Sequence, residues 1–108
     1  MSDLDKPEGL SDKGQKAYET IVKFLQHKSM TYTGGCKAFY SPQEWTERGE
    51  SYGTNSHLVV VHDGGDLARI FNIDYGSYIL NEDMNNMLAK SGMFAEACTT
   101  WYTAIYDL

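Results

Sequence analysis

A run of four consecutive apolar residues constrains the fold of this chain more than any other feature. Residues 58–61 read Leu-Val-Val-Val, and the acids and glycines of residues 63–66 follow almost at once. An apolar run without alternating polar residues, stopped by turn-forming residues, predicts a strand that is buried on both faces. We therefore expect this strand to lie in the middle of a sheet, with other elements covering each side.

Length and cysteine content favour a single domain without a cofactor. A chain of 108 residues can bury one core without a metal or disulfide framework. Cys36 and Cys98 are far apart and belong to no Cys/His array, so we predict no structural zinc and treat Cys36 as a small core residue. Residues 1–9 are predicted to be a disordered tail, and residues 10–108 a single α+β domain.

The sequence shows no targeting or membrane-spanning segment. Its N-terminus is polar, and no apolar run approaches the roughly 18 residues that cross a bilayer. These features predict a cytoplasmic protein that does not contact membranes.

Charge is distributed unevenly along the chain, whose net value is -6. Residues 1–40 carry six Lys against five acids, a net of +1, whereas residues 41–108 carry three bases against ten acids, a net of -7. A negative field disfavours phosphate backbones, so we expect no direct nucleic-acid binding. A basic protein partner is compatible with the same field.

Helix signals occur at two places in the first half of the chain. From residue 11 to 28, apolar side chains recur at helical spacing, and Ser11 is positioned to cap this amphipathic helix. Ser41, Pro42 and Glu44 match a capping box with proline at the first helical position. A short helix over residues 42–48, ending at Gly49, is therefore predicted.

Two further helices are predicted in the second half. Asp66 is expected to cap one or two turns over residues 67–71. Ser77 is expected to cap a longer helix that ends at Gly92. The apolar stripe of this helix comprises Leu80, Met84, Met87 and Leu88.

The remaining segments read as strands. Residues 36–40 suggest a short first strand, and residues 93–106 either one bent strand or two strands joined near Thr99. The element order indicates an α+β fold: a three- to four-stranded antiparallel sheet with two main helices packed largely on one face. The short helix lies between the first two strands.

A period of two in residues 93–106 separates two faces. The odd-numbered side chains, including Trp101 and Ile105, suit packing beneath helices, whereas the even-numbered set mixes aromatic and polar residues and suits a partly covered face. Our leading hypothesis is a non-enzymatic interaction module that uses this aromatic-rich sheet face to bind a protein partner, or that pairs with a copy of itself through an edge strand. The predicted binding residues are Tyr40, Trp45, Tyr52, Glu96, Tyr102 and Tyr106.

A second hypothesis is a small enzyme or small-ligand binder. His62, Asp63 and Glu96 would line its cleft, together with Cys98, and a carboxylate in an apolar sheet would serve as general base. This arrangement requires His62 and Glu96 to be neighbours on adjacent strands. His57 and His62 do not suggest a metal site, because five residues of strand place them on opposite faces.

A third hypothesis uses the acidic balance of the chain. The acidic face would act as a decoy for the basic groove of a nucleic-acid-binding protein, as small inhibitors encoded by phages or mobile elements do. It predicts a protein partner and no direct contact with nucleic acid.

Overall fold

The structure, a computed structural model, describes residues 3–72 and 78–108, which form an α+β domain. Its described helices are α1 (Asp12–His27), α2 (Pro42–Glu47), α3 (Gly65–Phe71) and α4 (Tyr78–Ala89). Its described strands are β1 (Phe39–Tyr40), β2 (Leu58–Val61), β3 (Met93–Ala97) and β4 (Tyr102–Asp107). The strands form one antiparallel sheet in the order β1-β2-β4-β3. The predicted fold class is confirmed, including the short helix between the first two strands.

Strand β2 lies inside the sheet, between β1 and β4, and all four of its side chains are buried. Leu58 and Val60 join the main core, whereas Val59 and Val61 join a second cluster on the opposite face. Burial of each such side chain contributes roughly 1.5–3 kcal/mol. The predicted two-sided burial of this run is confirmed.

Helix α1 packs its apolar stripe on the main core, and its first turn approaches β2 closely. Ser11 caps the helix, because its side-chain oxygen accepts a hydrogen bond from the backbone of Gly14 at 3.1 Å. A Cβ at Gly14 would lie only 2.5 Å from the carbonyl oxygen of His57. A residue with any side chain would therefore push α1 away from the start of β2.

Helix α2 begins with the predicted capping box. The Ser41 hydroxyl accepts from the backbone N–H of Glu44 at 3.1 Å, and the Glu44 carboxylate accepts from the backbone N–H of Ser41 at 3.0 Å. One turn later, Trp45 is turned onto the sheet face opposite α1 and is fully buried. This short helix therefore determines how much of that face is covered.

Residues 93–107 form two strands rather than one bent strand. The hairpin pairs Glu96 with Ala104 and Ala95 with Ile105, so the two faces follow the predicted period of two. Trp101 is an exception. Instead of lying under the helices, its ring packs 4.7 Å from Tyr102 and 5.8 Å from Trp45, measured between ring centroids. It lies in the turn between the strands, where alternation no longer applies.

Some local predictions are corrected by tertiary contacts. Asp66 does not cap α3, which has Gly64 as its N-cap; its carboxylate instead accepts from the backbone N–H of Tyr32 at 3.1 Å. Met87 is 38% exposed and does not share the burial of Met84. Ser77 lies outside the described residues.

The beginning of the chain lies against the domain. The carbonyl of Asp3 accepts from the backbone N–H of Ala38 at 2.9 Å, the hydroxyl of Tyr18 donates to the carbonyl of Leu4, and Pro7 is buried. Asp3, Leu4 and Pro7, which lie in the segment predicted to be a disordered tail, therefore contact the rest of the domain, and Leu4 packs against the main core. Cys36 is only half-buried, so it is not the core residue that we expected.

Candidate functional site

The predicted aromatic face is divided into a sealed part and an open part. Trp45 and Tyr102 are 0% and 2% exposed, and their ring centroids lie 4.8 Å apart. Together with Val59 and Val61 they form a small core beneath α2. This corrects the expectation that Trp45 and Tyr102 contact a partner directly, because the capping box that starts α2 turns Trp45 onto the sheet.

Tyr40 borders this sealed part and is half-buried. The Lys37 ammonium nitrogen lies 4.4 Å from the Tyr40 ring centroid, and the Arg48 guanidinium carbon lies 5.4 Å from it. The Tyr40 ring is therefore already in contact with two cations of its own chain. It is less available to a partner than sequence reasoning suggested.

The open part, which we call the open flank, consists of Tyr52, Phe94, Glu96 and Tyr106. The last three lie on one sheet face, since Phe94 pairs with Tyr106 and Glu96 pairs with Ala104 across the hairpin. Tyr52 is 62% exposed, and the Phe94 and Tyr106 ring centroids are 6.0 Å apart. Three of the six predicted binding residues, Tyr52, Glu96 and Tyr106, therefore lie together on an accessible surface.

A cleft lies within the open flank, between the loop that precedes β2 and strand β3. Its volume is about 270 Å³. It is lined by Ser51, Tyr52, Gly53, Thr54, Asn55, Glu96, Ala97, Cys98 and Tyr106. The sequence analysis did not predict that residues 51–55 lie beside β3.

Hydrogen bonds within the loop and contacts with the sheet hold this loop in place. The Ser56 hydroxyl donates to the carbonyl of Gly53 at 2.6 Å, and the Tyr102 hydroxyl donates to the carbonyl of Tyr52 at 3.3 Å. Gly53 has a φ of +84°, and a Cβ there would lie 3.3 Å from the Cβ of Ala104. The loop is thus pressed onto the sheet, and the cleft is formed without a ligand.

Glu96 gives the cleft its charge. Its side chain is exposed and forms no ion pair with any cation in residues 3–72 and 78–108. Burial, together with the Glu96 carboxylate, raises the pKa of the Cys98 thiol. The pKa of Tyr106 is also raised, by burial and then by Cys98 and Glu96. Both groups are therefore neutral at physiological pH, and Cys98 is not an activated nucleophile.

The cleft predicted for an enzyme is not formed as one site. The His62 Nε2 atom lies 2.9 Å from the Thr103 hydroxyl, and the ring stacks on Phe71 at 5.7 Å, so His62 belongs to the helix-covered face. Glu96 pairs with Ala104 and lies on the opposite face. Burial lowers the pKa of His62 to about 4, which leaves it neutral at pH 7.

His57 is also separate from His62. Its Nε2 atom lies 3.1 Å from the carboxylate of Asp107, and its Nδ1 atom lies 3.3 Å from the Ser11 hydroxyl. No group of three His, Cys, Asp or Glu side chains that could hold a metal ion occurs in the part of the chain that the structure describes.

Comparisons with known proteins do not assign this flank. No protein family, no curated protein and no solved structure matches the chain. Among the helices of the described ranges, none combines the length and the apolar character needed to cross a membrane.

Proposed function

We propose that this domain is a non-enzymatic interaction module that binds a basic segment of a protein partner on its open flank. The observation that carries the proposal is the Glu96 carboxylate, which is exposed beside the rings of Tyr52 and Tyr106 and has no described cation as partner. An exposed acid attracts cationic side chains through its charge, and nearby aromatic rings attract them through the negative faces of the rings.

The charge distribution supports a basic partner. Residues 41–108, which supply the whole open flank, carry a net charge of -7. Such a field increases the rate at which a basic segment meets the surface. The domain already forms contacts of this kind internally, since the Lys37 ammonium and the Arg48 guanidinium lie over the Tyr40 ring.

Binding on the sheet face is favoured over pairing along a sheet edge. Strand β1 is only two residues long, and on β3 the backbone N–H of Ala95 already donates to the side chain of Asn85 at 3.2 Å. Pairing with a second copy is opposed by charge, because each chain has a net charge of -6.

A binding experiment with a defined basic probe tests the proposal. We suggest fluorescence anisotropy with a fluorescein-labelled decapeptide of mixed arginine, lysine and glycine, measured at low and at physiological salt. Glu96→Gln and Tyr52→Ser should each weaken binding about fivefold, since a partly exposed charge pair or cation–aromatic contact is worth up to about 1 kcal/mol.

Two matched variants separate local recognition from general charge attraction. Glu82→Gln removes an exposed acid on α4, and Tyr32→Ser removes a tyrosine with 67% exposure, close to the 62% of Tyr52. Both should bind the peptide within twofold of wild type. Equal losses in the test and control variants, or no binding of the peptide at low salt, would refute the proposed function.

A further inference from the structure

We infer that the cleft between residues 51–55 and β3 is a subsite for one arginine side chain of the partner. The inference rests on the proposed function and specifies which chemical group the open flank recognises. Its basis is a preformed cleft in which Glu96 is the one charged residue of the described lining, together with two tyrosines.

The size of the cleft suits a side chain rather than a whole ligand. Its volume of about 270 Å³ lies below the roughly 300–1,000 Å³ of pockets that enclose drug-sized molecules. The close approach of Gly53 to Ala104 of β4, together with hydrogen bonds from Ser56 to the carbonyl of Gly53, holds the loop in place before binding. A preformed cleft reduces the ordering cost that association would otherwise carry.

The chemistry of the lining favours a cation that carries many hydrogen-bond donors. Glu96 supplies two carboxylate oxygens, and the side chains of Ser51, Thr54 and Asn55 supply neutral acceptors. A guanidinium group has five N–H donors, and it can pair with a carboxylate while its plane lies against a tyrosine ring. An ammonium group has three donors and no plane to stack, so lysine should bind less well.

Other ligand classes fit the cleft less well. Glu96 repels anions, and no cation lines the cleft among the described residues. Cys98 stays protonated because burial and Glu96 raise its pKa, so it adds no second charge for a divalent metal.

Nuclear magnetic resonance with blocked amino acids tests the inference. We suggest ¹⁵N-labelled full-length protein titrated with Nα-acetyl-arginine amide and, in parallel, with the lysine and citrulline analogues. Arginine should shift the amide signals of residues 51–55 and 96–98, lysine should bind about fivefold more weakly, and the neutral citrulline analogue should cause no shifts there.

Two variants distinguish a loss of arginine binding from a loss of the folded structure. Glu96→Gln should abolish the arginine-dependent shifts while its spectrum otherwise overlays that of wild type, and Glu82→Gln should keep them. Equal affinity for arginine and lysine, or shifts on another surface, would overturn the inference. The proposed function would survive that result if the basic decapeptide still depended on Glu96, and it would fall only if that dependence were also absent.

Discussion

Stability of the fold should depend on pH between 7.5 and 5.0 because of one buried histidine. His62 is 2% exposed, and burial lowers its pKa from the ordinary 6.5 to about 4, although backbone carbonyls and Asp63 oppose the shift. Between pH 6.5 and pH 4, His62 therefore binds a proton in the unfolded chain but not in the folded chain. The stabilising contribution is complete above pH 6.5 and is lost as the pH falls toward 4.

The size of the effect follows from the two pKa values. Each pH unit between them is worth about 1.4 kcal/mol, which gives about 3 kcal/mol in total and about 2 kcal/mol by pH 5.0. Two carboxyl groups change stability only at lower pH. Burial raises the pKa of Glu44, but hydrogen bonds from Ser41 and Lys37 outweigh it and lower this pKa from its ordinary value of 4.5. Hydrogen bonds from Lys13 and His57 lower the pKa of Asp107 from its ordinary value of 3.8.

Urea unfolding of wild type and His62→Gln at pH 7.5 and 5.0 measures this contribution. Glutamine can still hydrogen-bond Thr103 but does not titrate, so the variant should lose about 2 kcal/mol less than wild type over this range. His27→Gln, at an exposed position in the last turn of α1, should behave as wild type. An unchanged pH dependence in His62→Gln, or a His62 titration near pH 6.5 in the folded protein, would refute the reasoning.

Further substitutions test the packing around the open flank by urea unfolding. Gly53→Ala should cost about 1–2 kcal/mol because of its positive φ and the close Ala104 side chain, and a cost near zero would mean that the loop is not pressed onto the sheet. Ser41→Ala should cost about 1 kcal/mol by removing the cap of α2, whereas Thr46→Ala in the exposed part of the same helix should cost less. Leu58→Ala should cost about 2–5 kcal/mol through the cavity it leaves, and a smaller loss would contradict the central position of β2.

The elements that were predicted correctly carry their signals within a few residues. Strand β2 needed only its uninterrupted apolar run, and α2 only the spacing of Ser41, Pro42 and Glu44. The hairpin faces followed from alternation, which depends on backbone geometry alone. In each case the local preference and the tertiary packing agree.

The failed predictions depend on residues far apart in sequence. Asp66 is of a residue type that commonly caps helices, but its carboxylate accepts a hydrogen bond from the backbone N–H of Tyr32. Next to it, a Cβ at Gly65 would lie 2.5 Å from the carbonyl oxygen of Tyr32. Trp101 leaves the alternation because it sits in a turn that packs on Trp45. No sequence pattern near Asp66 or Trp101 predicts these contacts.

The candidate site was predicted only in part, because its shape also depends on residues that are far apart in sequence. Period two placed Glu96, Tyr102 and Tyr106 on one face, but it could not show that α2 seals Tyr102 while Glu96 stays open. The cleft depends on where residues 51–55 cross the sheet. Gly53 was the available signal, since a glycine in a polar loop often marks a positive φ or a close approach.

The open flank follows from the different lengths of the elements on that face. Helix α2 has six residues and is about 9 Å long, whereas β4, also of six residues, extends over about 20 Å. The Trp45 side chain of this short helix covers Tyr102 on β4, but a helix of this length does not extend to the β3 side. Tyrosines at such a boundary can bury their rings and keep their hydroxyls in water, which explains Tyr106 by stability alone. Glu96 differs, because glutamate is disfavoured in strands and this one has no described cation to pair with. Under the proposed function, the Glu96 carboxylate at this position serves to bind a cation.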